Sequence, residues 1–168
     1  MKYKFILVVV LFFGAASSMF AQSGQTGPLT WTLTGSGNDL TLTITVTDGT
    51  TGEMPDYTWS TGGMPWASHR SNIAKVVIGN GVTKIGNYAF FYHGILASVE
   101  IPSSVTTIGR NAFSSCDDIL SLDMPNVTTI GERVFDNCKS IVSFNMPKVT
   151  TIGEYAFCGC SKKRMCPA

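Results

Sequence analysis

Apolar positions recur with a fixed period along the second half of this 168-residue chain. Ile73-x-x-Val76-x-Ile78 returns as Leu96-x-x-Val99-x-Ile101, as Ile119-x-x-Leu122-x-Met124 and as Ile141-x-x-Phe144-x-Met146. Within each copy the last positions alternate polar and apolar, the period-two signature of a short strand. Pro102, Pro125 and Pro147 close three of these strands, and Gly79 closes the first. Proline has no N–H for a ladder, so it suits a strand end. A second extended piece follows, Val82–Ile85 and then Val105–Ile108, with further copies from Val127 and Val149. Each runs into Ile-Gly-x-x-Ala/Val-Phe, with the isoleucines at 85, 108, 130 and 152. The glycine is expected to turn the chain into a short helical turn carrying Ala or Val, Phe and, three residues on, Cys.

Such repeats define a solenoid, in which one unit cannot bury its apolar face alone. About seven inward side chains per coil contribute roughly 10–20 kcal/mol gross. Ordering ~22 residues costs about 1 kcal/mol each in backbone entropy. The terms nearly cancel, so a lone coil does not fold and four stacked coils can. Phe90, Phe113, Phe135 and Phe157 are expected to stack as a core ladder. Glycines 86, 109, 131 and 153 serve either a turn or a close approach between coils.

Upstream the period changes. Leu29-Thr-Trp31-Thr-Leu33-Thr and Leu40-Thr-Leu42-Thr-Ile44-Thr-Val46 alternate strictly around a Gly/Asn/Asp cluster, which reads as a β-hairpin. With the Trp59–Trp66 loop it is expected to cap the first coil across residues 29–72, because open solenoid ends need covering. Residues 22–28 read as a flexible mature N-terminus. Before them, Lys2 and Lys4, an apolar run from Phe5 to Phe13 and the small residues to Ala21 read as a signal peptide over residues 1–21. Cleavage falls after Ala21 or after Ala16. The run is far shorter than the ~20 residues that span a bilayer, so no transmembrane span is expected in the mature chain.

The string I-P-S-S-V-T-T-I-G-R-N-A-F-S-S-C, residues 101 to 116, resembles the BspA-like leucine-rich repeat family of bacterial surface proteins. The resemblance covers about residues 73–160. It extends weakly through Gly52-x-Met54-Pro55-Asp56-Tyr57, Pro65-Trp66 and Arg70-x-x-Ile73. It implies a curved, mainly β leucine-rich-repeat solenoid of four coils with parallel strands, on an exported and often adhesin-like or matrix-binding protein.

Charge changes the picture little. Lys and Arg number 12 against 11 Asp and Glu, and removal of Lys2 and Lys4 leaves 10 against 11, a net of −1. No basic stripe marks a nucleic-acid binder. Five cysteines are present, three of them (Cys116, Cys138 and Cys160) at one repeat position that His93 holds in the first coil. Side chains in such a row run parallel, so free buried thiols are expected. Cys158 and Cys166 fall outside the register and could pair. A zinc site using Cys158, Cys160 and Cys166 lacks a fourth ligand nearby. No catalytic or cofactor motif is present, so neither an enzyme nor a cofactor is expected. Asn126-Val127-Thr128 matches a glycosylation sequon.

Binding remains. On the strands, Lys75, Ser98, Ser121 and Ser143 form one outward row, and Val77, Glu100, Asp123 and Asn145 a second. These rows are the candidate face for an extracellular protein or matrix partner, with a solvated sheet face as the alternative. Four coils at ~4.8 Å and strands ~10 Å wide offer on the order of 200 Å2, against about 800 Å2 per partner in a standard interface. Trp59 and Trp66 are candidate glycan contacts, the alternative being packing under their loop. Residues 161–168 read as too short and polar to cover a fourth coil. That predicts an exposed apolar end and self-association, and suits a truncated member of a longer family.

Overall fold

The computed structural model describes residues 20–59 and 63–160. The expected leader up to residue 19, both flanks of the expected cleavage after Ala16, the tail and Cys166 lie outside the described residues. The elements are β1 Phe20–Thr26, β2 Leu29–Ser36, β3 Asp39–Val46, β4 Gly52–Glu53, β5 Ile73–Ile78, β6 Val82–Ile85, β7 Ser98–Glu100, β8 Thr107–Ile108, β9 Ser121–Asp123, β10 Thr129–Ile130, β11 Ser143–Asn145 and β12 Thr151–Ile152. Two five-stranded sheets run β1-β2-β3-β5-β7 and β4-β6-β8-β10-β12, and β9 pairs with β11. All pairings from β3 onward are parallel, residue on equivalent residue along the repeats, as with Ile85 on Ile108 and Ile130 on Ile152. The mainly β, parallel-strand solenoid read from the period is the fold.

The aromatic ladder forms as expected. Phe90 and Phe113 stack at 5.1 Å between ring centroids, Phe113 and Phe135 at 5.7 Å, and Phe135 and Phe157 at 5.5 Å. Each offset pair adds about 0.5–1.5 kcal/mol beyond burial. The repeat glycines all have φ outside the left-handed region, so close approach explains them. A β-carbon on Gly109 would lie 2.7 Å from the backbone nitrogen of Asn87, and one on Gly153 2.5 Å from that of Glu132.

The expected helical turn is absent from each coil. Residues 87–92 and their copies are turns in which Tyr88, Tyr92, Asn111, Ser115, Arg133, Asn137 and Tyr155 adopt positive φ. The reason is the backbone. Tyr88, Phe90 and Tyr92 donate their N–H groups to Arg110, Ala112 and Ser114 of the next coil, and Asn111, Phe113 and Ser115 repeat this one coil on. A helix would spend those donors internally and forfeit these bonds between coils.

The N-terminal region departs furthest from expectation. In place of the loose terminus expected over residues 22–28, residues up to Thr26 lie in β1, which pairs antiparallel with β2 along its whole length, and the expected cleavage after Ala21 falls inside it. The hairpin covers the first coil as expected, and does so by joining its sheet. β3 joins the first coil in parallel, Leu42 on Val76 and Ile44 on Ile78. Gly52–Glu53 pairs with β6, and the N–H of Tyr57 reaches Asn87 O at 2.9 Å. Trp66 stacks over Phe90 at 5.9 Å and 19°. Strand, second strand and aromatic slot are thus each filled. Residues 39–59 and 63–72 form an additional coil without the repeat's sequence, and β2 and β1 extend its sheet outward.

Candidate functional site

The outward face of the strand sheet is assembled row by row. Parallel register sets Lys75 beside Ser98 and Val77 beside Glu100. Beyond β7, β9 lies alongside, and Ser121 aligns with Ser143 and Asp123 with Asn145. Both predicted rows are therefore brought together. Lys75 Nζ and Glu100 Oε1 pair at 2.6 Å, and Asn145 Nδ2 donates to Asp123 Oδ1 at 2.7 Å. Exposed pairs of this kind contribute well under about 1 kcal/mol, so they order the face more than they stabilise the fold.

The rows continue past the first coil, where repeat reasoning stopped. Thr41 lies beside Lys75 and Thr43 beside Val77. Across β2 the partners are Thr34 for Thr41, Thr32 for Thr43 and Thr30 for Thr45. Six threonines thus form a two-by-three block, with the hydroxyls of Thr30 and Thr45 3.0 Å apart. Ser23 and Gln25 of β1 extend it. No charged residue occurs from position 5 to 38 or from 40 to 47, so this half of the face is an uncharged hydroxyl field. The signal was available in the sequence: the polar partners in the alternation of Trp31, Leu33, Leu42 and Ile44 are nearly all threonine.

The opposite half is edged by exposed apolar side chains. Leu120 and Val142 occupy one repeat position and keep 59% and 54% of their surface in solvent. At the end of the stack Ile152 is 53% exposed, where Ile85, Ile108 and Ile130 are fully buried. Phe144, Met146 and Val149 are only partly covered. Among the described residues the fourth coil's inward side lacks the cover that its predecessors have.

The two candidate aromatics separate. Trp66 is wholly buried, with Nε1 donating to Ala89 O at 3.0 Å and Tyr57 and Trp31 edge-on to its ring. It has no face for a sugar and belongs to the core. Trp59 is 71% exposed.

The repeated cysteines are free thiols. Cys116, Cys138 and Cys160 donate to the carbonyl oxygens of Phe90, Phe113 and Phe135 at 3.1, 3.0 and 3.2 Å. Burial pushes Cys138 up to about 12 and Cys160 to about 11, and raises Cys116 well beyond its ordinary range. The thiols stay protonated and act as hydrogen-bond donors, not nucleophiles. Cys158 is disulfide-bonded. His93 occupies the same slot fully buried. Its Nδ1 lies 3.2 Å from Phe91 O and its Nε2 has no hydrogen-bond partner among the described residues. The Asn126 side chain is held between coils, donating to Ser103 O and accepting from Lys148 Nζ, both at 2.7 Å. Among the described residues no three His, Cys, Asp or Glu side chains gather to hold a metal ion, and no helix is long and apolar enough to cross a membrane.

Residues 67–165 match the family described as BspA type leucine rich repeat region (6 copies). The chain belongs to that family. It is similar in fold to three solved leucine-rich repeat proteins. With one from T. pallidum it shares 26% identity at a TM-score of 0.53, covering 70% of this chain and 59% of that one. With one from Bacteroides ovatus the values are 26% and 0.57, covering 73% and 36%. With one from Eubacterium ventriosum they are 25% and 0.59, covering 82% and 41%. The chain thus spans less than two thirds of the length of these structures. No curated protein matches it.

Proposed function

We propose that this chain is an exported, surface-associated interaction module of a bacterium that binds an extracellular protein or matrix component across the outward sheet face. The observation that carries this is the continuity of the face from β1 to β7, with β9 and β11 beside it. Seven strands, three of them seven or eight residues long, offer on the order of 500 Å2. That is more than twice the area of four coils alone and approaches one side of a standard interface. An uncharged hydroxyl field beside a mixed polar and apolar half suits a partner bound by hydrogen bonds and a few apolar contacts. The repeat family and the leader-like N-terminus support export; the fold supplies a surface, not a reaction.

The test is an array of host matrix proteins and glycans probed with the exported chain, followed by Thr32→Lys and Asp123→Lys. Binding that falls at least about tenfold in both variants supports this face; binding unchanged in both rejects it. A second reading rests on the exposure of Trp59: a glycan stacked on that ring. Sugar binding lost in Trp59→Ala but kept in Thr32→Lys favours it.

A further inference from the structure

We propose that the ridge of turns at residues 88–92, 111–115 and 133–137 binds a neutral, extended polysaccharide. Phe91 and Tyr92 form its aromatic shelf, and Ser115, Asp136 and Asn137 its hydrogen-bonding end. The ridge lies in the turns that follow the second sheet, not on the strand rows. Its register is set by the backbone. Tyr92 donates its N–H to Ser114 O at 3.0 Å, Ser115 to Asp136 O at 2.8 Å and Asn137 to Cys158 O at 2.7 Å. The three donors share one left-handed conformation, with φ of 60°, 60° and 59°. Tyr92, Ser115 and Asn137 therefore form one row along the coils at a spacing of ~4.8 Å. Phe91, Ser114 and Asp136 form the row beside it.

The fold does not account for the rings at the first step of this ridge. A left-handed backbone strains a bulky side chain. Later turns hold Asn137 and Gly159 at the position of Tyr92, two residue types that tolerate it. Tyr92 nevertheless carries its ring there, 59% exposed. It meets the half-buried Phe91 edge-on at 4.7 Å, and Tyr88, also at positive φ, meets Phe91 edge-on at 5.5 Å. Strain kept at exposed side chains points to what they touch. Beyond the rings the ridge turns polar. Among the described residues neither the Ser115 hydroxyl nor the Asn137 side-chain amide donates to another group. The two rows carry one carboxylate, Asp136, and no cation, which disfavours an acidic chain. A pyranose offers an apolar ring face to an aromatic shelf and a rim of hydroxyls to a hydroxyl, amide or carboxylate. An extended polysaccharide repeats that unit at roughly the coil spacing. One sugar on Tyr92 then sets its neighbours over Ser115 and Asn137.

Affinity electrophoresis of the exported chain in gels containing soluble β-glucan, xylan or galactomannan tests this. Retardation by at least one of these polymers is expected. Tyr92→Ser, which repeats the side chain of Ser115, is expected to weaken it at least about tenfold. The melting temperature should hold or rise in that variant, because the strained ring is gone. Asn137→Ala is expected to weaken retardation several-fold, and Tyr92→Phe, which keeps the ring, to retain it. Trp59→Ala and Thr32→Lys are expected to leave it unchanged, which separates this ridge from both readings of the proposed function. No retardation in any of the gels overturns the proposal. So does a Tyr92→Ser chain that binds like the wild type, or a loss confined to Trp59→Ala. Tyr92-dependent binding of an oligoproline peptide in place of every polysaccharide overturns it as well.

Discussion

The two ends of the aromatic ladder solve one problem with different chemistry. From Phe90 to Phe157 each rung is the same residue, each neighbouring glycine clears the same backbone, and each thiol from Cys116 onward reaches back to the same carbonyl. Below Phe90 the rung is Trp66, the strand is β3 and the second strand is Gly52–Glu53, with no repeated residue among them. The difference teaches that a coil is defined by what it offers its neighbour. A flat ring at ~5–6 Å and a parallel strand in register suffice. The N-terminal block adds what a repeat lacks: two further antiparallel strands that extend the sheet, with Leu29, Trp31 and Leu33 of β2 still in the common core.

Substitution in the two regions tests whether they are one cooperative body. Phe113→Ala removes a buried ring between two stacked neighbours and is expected to cost about 3–5 kcal/mol, read as a fall in the denaturant midpoint of the whole stack. Trp66→Ala is expected to cost about as much, again in a single transition. Hydrogen exchange that rises only in residues 20–72 after Trp66→Ala would break the comparison and make the block a separate domain.

His93 sharpens it next. Burial is the main cause that holds its pKa down to about 4, and the nearby Arg70 charge adds to this against the Phe91 and Phe90 backbone. The ordinary value is about 6.5. The folded state therefore prefers the neutral ring. Stability is complete above about pH 6.5, falls as the unfolded chain takes up its proton, and levels off below about pH 4, a loss of roughly 3 kcal/mol. His93→Cys, which restores the residue of the later coils, is expected to remove that loss. Melting curves from pH 7 to pH 4 that fall equally in both proteins would show that the slot does not distinguish the first coil. The smallest effect is expected on the surface: Lys75→Ala should change the melting free energy by less than about 1 kcal/mol, because its partner Glu100 is itself exposed.

Much of the stack was legible beforehand. Ile85, Ile108, Ile130 and Ile152 could be aligned because each repeat states the same inward positions, and both outward strand rows followed from period-two alternation. The extra coil was not, because Ile44 and Ile78, which pair, are 34 residues apart where the repeats step by 22 or 23. A loop between β4 and β5 hides the period. Trp66 gave no sign of its place, since a tryptophan beside a Pro-Trp loop fits a buried rung or an exposed platform equally. The threonine block was visible as alternation but not as a continuation of the repeat face.

The sequence by itself determined which side chains turn inward, how many repeats share that pattern and which family they belong to, because side-chain alternation is a local property of the chain. Tertiary structure alone decided that the hairpin extends the sheet, that the turns after each glycine stay non-helical, and that β1 joins the sheet beyond β2. Those outcomes depend on which distant backbone N–H and C=O groups pair, and every residue except proline carries the same two groups.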